Sequence, residues 1–453
     1  MRVRIHLCSF IAASCLPALS PAGQSKSPAS TQAEPQVGST LTIEDAVALA
    51  CRRNGTIGAA YYAYLSSHQA TLQAYAPLLP TLTGSYQYNA DRTASTLGSQ
   101  TFITDTNGSA YNANANWRIF DMGVRNDNFL SARRAEESQL DNARQTLRQV
   151  LFNVQDQYFE TLRASELEKV SATEVERAQT IFDQTFEQVR VGKTAQKDVL
   201  QAKADLANAK VTELQSRNTS ATDIATLKSL IGLPSRDPLP TLPPYPQPDT
   251  SQVPSDLNKV LDDGIAARPD LQAQRSTVRS LEFSARSLAI QAGVNVTLDA
   301  TFGASFAPSY LENRLLTFTV SYPIFDGGSS RAAARAAGYN VKAAKETLAQ
   351  AEREARAQIE TAFVLLRQNV ERLSAAKDAY AAALENYNAA SESQRLGAST
   401  IIDVLTANVS LITAESNQIQ AVYDYYISEV QLRLATGERL LGEPTGDRLP
   451  QYK

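Results

Sequence analysis

The fold is decided by one stretch, residues 124–191, which reads VRNDNFLSARRAEESQLDNARQTLRQVLFNVQDQYFETLRASELEKVSATEVERAQTIFDQTFEQVRV. The stretch contains neither Gly nor Pro, and Gly192 follows it directly. At about 1.5 Å per residue, a continuous helix of roughly 70 residues would be about 100 Å long. An ordinary globular domain cannot bury a helix of that length, so the sequence predicts an elongated molecule.

The same pattern occurs a second time, and the spacing between the copies is constant. Four landmarks recur 205 positions later: Phe120-Asp121 as Phe325-Asp326, Val191-Gly192 as Leu396-Gly397, Asp198-Val199-Leu200 as Asp403-Val404-Leu405, and Gly232 as Gly437. A spacing that holds through four landmarks indicates an internal duplication.

We therefore interpret residues 41–231 and 257–437 as two structural repeats, joined by a Pro-rich strap at 232–256 and followed by a tail at 438–453. Each repeat is expected to contain a β-hairpin, a long helix and a returning helix. In the first repeat these cover about 81–120, 124–191 and 196–231; in the second they cover about 295–325, 329–396 and 400–436. Short helices are expected before the first hairpin.

The N-terminal residues indicate export from the cytoplasm. Two arginines precede an apolar run over residues 5–18 and small residues at 20–22, so we interpret 1–22 as a signal peptide and 23–40 as a flexible leader. A lipobox at 12–15 is an alternative that would make Cys15 a lipidated N-terminus, although Ala12 occupies the position where Leu is usual. Removal of residues 1–22 leaves Cys51 alone, so no intramolecular disulfide is expected.

The hairpin segments alternate between apolar and polar residues, which is typical of strands with one apolar face. Tyr111, Ala113, Ala115, Trp117 and Ile119 share one face in the first repeat. We expect strands of about ten residues, which suffices to cross a bilayer when tilted. The connections at 90–109 and 307–313 are expected to be outward-facing loops. A sheet on a soluble domain explains one such hairpin equally well, and the export signal favours the membrane.

Two hairpins cannot close a membrane barrel, because open edges in lipid leave backbone groups unsatisfied. Several copies of the chain are therefore expected to pool their strands. In the second long helix, apolar residues recur about every seven positions opposite alanines, which is typical of an antiparallel coiled coil. The predicted fold class is mostly α with a small β part: coiled-coil helices that form an α-barrel, and two hairpins per chain that contribute to a shared barrel.

Composition argues against nucleic acid and against catalysis. The net charge is −4, and it becomes more negative when the two arginines of the signal are removed. Outside residues 1–22 the chain has one His, His68, for which we expect a solvated role. We find no phosphate-binding loop, dinucleotide fingerprint or nucleophile elbow. We therefore expect no enzyme activity, no metal site and no cofactor.

Several motifs resemble those of the TolC-like outer-membrane efflux proteins over nearly all of the mature chain. They are Arg268-Pro269-Asp270-Leu271, the run SYPIFDGG at 321–328, residues 41–50, and the paired turns that lead from Gly to Asp-Val-Leu. The resemblance implies a homotrimer whose pooled strands form a pore through the outer-membrane lipid of a Gram-negative bacterium. It also implies that the helices continue as a tunnel across the periplasm.

The resemblance further implies that the helix turns meet a periplasmic adaptor (membrane fusion) protein and an inner-membrane pump. The matching positions are Arg190, Val191, Gly192, Thr194, Arg395, Leu396, Gly397 and Ser399 for docking, and Asp198, Asp403 and Thr406 for the periplasmic entrance. Turn geometry alone also explains the glycines, and helix capping also explains both aspartates. Thr406 and Ser399 stand where some members have an acid and a base, so a strong salt-bridge gate is not expected.

The function implied by the resemblance is a passive duct that exports drugs or other small molecules. One alternative is the outer-membrane duct of a type I protein secretion system. Two others come from different classes: a periplasmic coiled-coil scaffold without a pore, and an enzyme that uses His68.

Overall fold

The computed structural model describes residues 40–192, 195–306 and 310–444. The predicted signal peptide, residues 23–39 of the leader, the possible lipidation site Cys15, the docking residue Thr194 and the end of the tail lie outside the described residues. The described residues form eight α-helices and four strands. In chain order they are α1 (Ile43–Arg53), α2 (Gly55–Tyr75), β1 (Thr81–Leu97), β2 (Gln100–Phe120), α3 (Val124–Arg190), α4 (Gln196–Leu230), α5 (Leu257–Ala267), α6 (Pro269–Ile290), β3 (Asn295–Phe306), β4 (Tyr310–Ser321), α7 (Ser329–Arg395) and α8 (Ile401–Thr436).

The two long helices, α3 and α7, each contain 67 residues and organise the molecule. Helices α2 and α4 pack along one flank of α3, and α6 and α8 lie between α3 and α7. The helices therefore form a layer of four columns, in which each long helix alternates with a column built from two shorter helices. In the seam of α7, Ile359, Leu366 and Leu373 are buried together with Ala362 and Ala376. The predicted mostly helical fold class with coiled-coil packing is confirmed.

The largest hydrophobic core lies at mid-height, where α1 and the Pro-rich strap cover the long helices. Tyr158 and Phe159 of α3 are almost completely buried there. Leu239, Leu242 and Tyr245 of the strap pack against the same core. The strap thus holds the two repeats together by burying apolar side chains.

The four strands form one antiparallel sheet in the order β1-β2-β3-β4. Strands β1 and β2 contain 17 and 21 residues, whereas β3 and β4 each contain 12. The prediction of a loop at 90–109 was wrong, because the two strands stay paired as far as Leu97 and Gln100. The predicted strand length of about ten residues was too short for the first repeat, whereas β3 and β4 lie close to it with 12 residues each. In the second repeat β4 begins at Tyr310, so residues 310–313 belong to a strand.

The sheet has one apolar and one polar face. The register aligns Trp117 with Leu298 and Leu298 with Phe318 on the apolar face. On the polar face, Asn114 donates a hydrogen bond to Thr301 Oγ1 at 2.9 Å. Strands β1 and β4 each pair on one side only, so both edges of the sheet present open backbone groups.

Candidate functional site

The candidate site is formed by the two tip turns, at the end of the helices away from the sheet; the structure describes residues 190–192 and 195 of the first and 395–400 of the second. In the second tip turn Gly397 has φ +77° and donates to Gln394 O at 2.9 Å, and Ala398 donates to Ser393 O at 2.8 Å. These bonds form a Schellman motif, which ends a helix with a glycine in the left-handed region. Gly192, with φ +73°, donates to Val189 O in the same way. Both glycines are therefore required by the local geometry.

The two tip turns differ at the start of the returning helix. Thr400 caps α8, because its Oγ1 accepts a hydrogen bond from the Asp403 amide at 3.4 Å. The Asp403 carboxylate in turn accepts from the Thr400 amide at 2.8 Å, which completes a capping box. The backbone and side-chain hydrogen bonds from Thr400 hold the pKa of Asp403 below its ordinary value. In the first repeat Ala195 occupies the equivalent position and provides no side-chain cap.

Exposed apolar residues stand at the apex of each tip turn. The exposed fractions are 60% for Val191 and 70% for Leu396. Beside each of them is an arginine paired with a glutamate one turn earlier: Arg190 with Glu187 at 2.7 Å, and Arg395 with Glu392 at 2.5 Å. The hydrogen bond from Arg395 lowers the pKa of Glu392. Each tip turn therefore offers a small apolar surface bordered by an ion pair, a combination suited to contact with another protein.

A small core brings the two tip turns together. It contains Ile181 of α3, Ala202 of α4, and Ile401 and Val404 of α8. Ser399 additionally donates to Ala390 O at 3.2 Å, which fixes the second turn against α7. The predicted docking residues within the described ranges therefore lie at one end of the molecule.

The three predicted entrance residues have different surroundings. Asp403 is occupied by the capping box, as the capping interpretation predicted. Asp198 lies in the first turn of α4 and is half-buried. Thr406 Oγ1 donates to Ile402 O at 2.8 Å within its own helix.

Sequence reasoning missed a polar bridge between α3 and α8 above the tip turns. Asn408 is buried and donates to both carboxylate oxygens of Glu174, at 2.9 and 3.1 Å. Burial is the main cause that raises the pKa of Glu174. Nearby, Arg177 lies 3.7 Å from Glu415. No sequence pattern indicated these pairs, because partners on different helices are more than 200 positions apart.

His68 is partly solvated, as expected, with 46% of its side chain exposed, but it also has a protein partner. Its Nδ1 lies 2.7 Å from the Glu136 carboxylate, so the side chain links α2 to α3. Among the described residues, no group of His, Cys, Asp and Glu could hold a metal ion. The same residues include no helix with the length and apolar character needed to span a membrane.

The molecule is an elongated helical layer with an amphipathic sheet at one end and paired turns at the other. This architecture is that of a transport channel, and comparisons with known proteins identify the same class. The model of the family described as outer membrane efflux protein matches residues 47–233 and 260–438. TolC of Escherichia coli K12 is 24% identical over 385 residues, which cover 81% of this chain and 76% of TolC. The outer membrane efflux protein BepC of Brucella suis is 22% identical over 388 residues, which cover 83% of this chain and 80% of BepC.

Solved structures show the same fold. The CmeC outer membrane channel of Campylobacter jejuni superposes with a TM-score of 0.76 at 18% identity, and the match covers 87% of this chain and 85% of CmeC. Because the family model covers most of the sequence, this chain belongs to the outer membrane efflux protein family. It is thus an outer-membrane channel protein of a Gram-negative bacterium and not an enzyme.

Proposed function

We propose that three copies of this chain form a passive duct that carries small molecules out of the cell, and that an adaptor protein and an inner-membrane pump deliver the substrate. In this proposal residues 1–22 are the export signal, the two repeats 41–231 and 257–437 supply the wall, and the strap encircles the waist. No energy-converting site is required in the duct, because the pump supplies the free energy of transport.

The observation that carries the proposal is the four-stranded sheet. Its apolar face suits lipid and its polar face suits a wet lumen. Both edges are open, and the hydrocarbon region contains no water to satisfy unpaired backbone groups. Joining β4 of one copy to β1 of the next removes every open edge when the ring closes.

The internal duplication predicts the register of that joint. Strand β4 corresponds to β2 with a shift of 205, as Phe325 does to Phe120, and β1 corresponds to β3, since TLTGSY at 81–86 resembles TLDATF at 297–302. In the chain Asn114 of β2 pairs with Thr301 of β3. The equivalent joint therefore places Thr319 of one copy opposite Ser85 of its neighbour.

The first test is reconstitution of the mature chain in a planar bilayer, with electrophoresis of unheated samples. We expect discrete conductance steps and a trimer band that disappears on heating. A folded, soluble monomer that forms no channels would support the scaffold alternative and overturn the proposal.

The second test is a disulfide between neighbouring copies, with Thr319→Cys and Ser85→Cys combined. We expect covalent dimers and trimers without reductant, whereas Thr319→Cys with Gln87→Cys, which is out of register, should crosslink much less. The native Cys51 should contribute little, because burial raises the pKa of its thiol to about 11 and thiolate is the reactive form. Equal crosslinking of both pairs would contradict the predicted joint.

The tip turns are the proposed docking surface for the adaptor. Their exposed Val191 and Leu396, with the neighbouring ion pairs, would be covered by an apolar surface on the adaptor. Arg190, Gly192, Thr194, Arg395, Gly397 and Ser399 complete this surface. Three copies of Asp198 and Asp403, with Thr406, would line the entrance between the turns and favour cations.

Docking can be tested with Val191→Asp and Leu396→Asp. A charge at either apex should weaken adaptor binding and lower drug efflux in cells, while trimer formation and conductance remain normal. The matched control is Leu214→Asp, an equally exposed leucine on α4 away from the turns. Normal efflux and adaptor crosslinking in both apex variants would argue against docking at these residues.

A further inference from the structure

A row of cations on α7 has no carboxylate partner among the described residues. Residues 329–345 contain four basic residues and no Asp or Glu. Lys345 pairs with Glu282 of α6 at 2.7 Å. The other three, Arg331, Arg335 and Lys342, are exposed and are spaced by four and seven positions, which places them on one stripe of the helix. We call these three residues the cationic stripe.

The equivalent turns of α3 are neutralised within the chain. Arg125 pairs with Asp121 at 2.7 Å, and Arg134 pairs with Glu137 at 2.6 Å. His68 of α2 contacts the carboxylate of Glu136. At the positions that correspond to Glu136 and Glu137, α7 carries Val341 and Lys342. The second repeat has therefore lost two of the acidic groups that balance the first, while Asp326 remains at the position of Asp121 and accepts from the Gly328 and Ser330 amides.

A neighbouring copy does not supply the missing acids. In the proposed trimer the free flank of α7 would lie against α2 of the next copy, as α3 lies against α2 within the chain. Helix α2, which covers Gly55–Tyr75, contains no Asp and no Glu. The anions that balance the cationic stripe are therefore expected from outside the protein.

The cationic stripe begins just below the sheet. Strand β4 ends at Ser321 and α7 begins at Ser329, so Arg331 and Arg335 lie in the first two turns after the strand. Between them and the strand are Tyr322, Ile324 and Phe325, whose exposed fractions are 63%, 93% and 89%. Exposed apolar residues followed by cations are typical of segments that lie at a membrane surface.

We propose that Arg331 and Arg335 of the cationic stripe bind the phosphate groups of anionic phospholipids at the periplasmic surface of the outer membrane, with Ile324 and Phe325 in the adjoining acyl region. Lys342 lies about 16 Å farther along the helix than Arg331 and attracts the same lipids through its charge. Guanidinium groups suit phosphate oxygens because they donate paired hydrogen bonds. The inference rests on the proposed trimeric channel, which sets the depth of the sheet in the membrane. It predicts that the α7 side of each chain prefers anionic lipids and that the α3 side does not.

The test uses the single tryptophan of the chain as a probe. Trp117 lies beside α3, and Tyr322 occupies the equivalent position beside α7. The protein is reconstituted in two mixtures of phosphatidylcholine and phosphatidylglycerol. In one mixture the phosphatidylglycerol is brominated, and in the other the phosphatidylcholine is brominated. Because bromine quenches tryptophan fluorescence at short range, the stronger quenching identifies the lipid next to the probe. The native chain is compared with the Trp117→Phe/Tyr322→Trp variant, in which the probe lies next to the cationic stripe.

A cation near a membrane surface contributes about fivefold to the binding of anionic lipid. We expect at least a fivefold preference for phosphatidylglycerol at position 322 and little preference at 117. The preference should disappear in high salt and in Arg331→Gln/Arg335→Gln/Lys342→Gln. It should persist in the control Lys203→Gln/Lys210→Gln/Arg217→Gln, which removes three exposed cations from α4.

Equal quenching by both lipids at position 322 would overturn the proposal, as would a preference that survives loss of the cationic stripe. A change in ion selectivity of the triple variant, with an unchanged lipid preference, would place the stripe in the lumen and also overturn it. Conductance and the heat-sensitive trimer band are measured on the same samples. Trimers that conduct but show no lipid preference would disprove only this inference and leave the channel intact.

Discussion

The start of each returning helix depends on one residue, Thr400 in the second repeat and Ala195 in the first. The Thr400 hydroxyl accepts from the Asp403 amide, which also donates to the Thr400 carbonyl at 3.2 Å, and the Asp403 carboxylate accepts from the Thr400 amide in return. Ala195 has no side-chain oxygen, so only its carbonyl accepts from the Asp198 amide, at 3.0 Å. The first tip turn should therefore open more readily than the second.

Exchange of these residues should reverse that order. Thr400→Ala removes the side-chain cap and should lower the local stability of α8 by about 1 kcal/mol. Ala195→Thr should stabilise α4 by a similar amount, because Asp198 already occupies the position of Asp403 and can complete a capping box. Hydrogen exchange of the first-turn amides measures both effects. Thr406→Ala, which removes a hydroxyl bonded only within its helix, is the control. Unchanged exchange in both variants would contradict the role of the cap.

Two glycines with left-handed backbones should respond differently to a methyl group. A Cβ at Gly397 would meet open space, whereas at Gly437 it would lie 2.9 Å from the backbone carbon of Ala267. Gly397→Ala should therefore cost only about 1 kcal/mol of backbone strain. Gly437→Ala should also separate α8 from the start of α6 and lower the yield of folded trimer. Similar trimer yields and melting temperatures for the two variants would contradict this difference.

The Pro-rich strap has little regular structure, a single 3₁₀ turn at Thr250–Gln252 and a bridge from Thr241 to Thr40, and is held mainly by side chains of α8. Tyr425 donates from its hydroxyl to Asp249 O at 2.8 Å, and the Tyr426 hydroxyl donates to Pro246 O. Burial raises the pKa of both tyrosines, and it raises that of the nearby Tyr423 to about 12. The tyrosines therefore keep these bonds only in the neutral form.

The strap should loosen in alkali. An unfolded tyrosine has a pKa of about 10. Because burial raises the folded pKa values of Tyr425 and Tyr426, their stabilising contribution is complete below about pH 10 and is lost as the pH rises above it and through those higher folded values. Tyrosinate absorbance and hydrogen exchange in the strap should change together over this range. Tyr425→Phe should lower the local stability of the strap by about 1 kcal/mol at neutral pH. If hydrogen exchange of the strap amides is the same at high pH and in Tyr425→Phe as in the native chain at neutral pH, the tyrosines do not have this role.

The boundaries of helices and strands were predictable where the apolar pattern changes from the helical to the strand period, or where Gly or Pro interrupts the sequence. The predicted ends of the long helices at 191 and 396 lie one residue beyond Arg190 and Arg395. The hairpin of the first repeat was not predictable in full, because the Thr, Ser and Asn residues of 90–109 are polar on both faces and resemble a loop. Its pairing depends on β-forming residues such as Ile103 and on a turn at Gly98.

At the scale of the whole molecule, the duplication was predictable because it follows from the spacing of the landmarks. The need for several copies follows from the hydrogen-bonding rules of lipid and stays a prediction. Contacts between distant helices were not predictable. The bridge from Asn408 to Glu174 and the pair of His68 with Glu136 join residues whose neighbours in sequence carry no periodic signal. Docking and entrance roles came only from the resemblance, and they remain predictions.

Selectivity of the assembled duct should depend on the entrance carboxylates. Asp198→Asn removes one charge per copy, and it leaves the capping box at Thr400 intact. The permeability ratio of cation to anion in a planar bilayer should therefore fall, most clearly at low salt, where charges are least screened. Asp263→Asn on α5, far from the tip turns, should leave the ratio unchanged. An unaltered ratio in Asp198→Asn would place that carboxylate outside the ion path.

The unequal hairpins would give the proposed trimer an uneven outer rim. Pairing of β2 with β3 stops at Ser109, but β1 and β2 continue together to the turn at Gly98. With about 3.4 Å per residue, this free ribbon projects roughly 30 Å beyond its neighbours. Each proposed trimer would thus have three two-stranded β-ribbons that project from the cell surface. Antibodies or bacteriophages would contact these ribbons before they reach the channel opening.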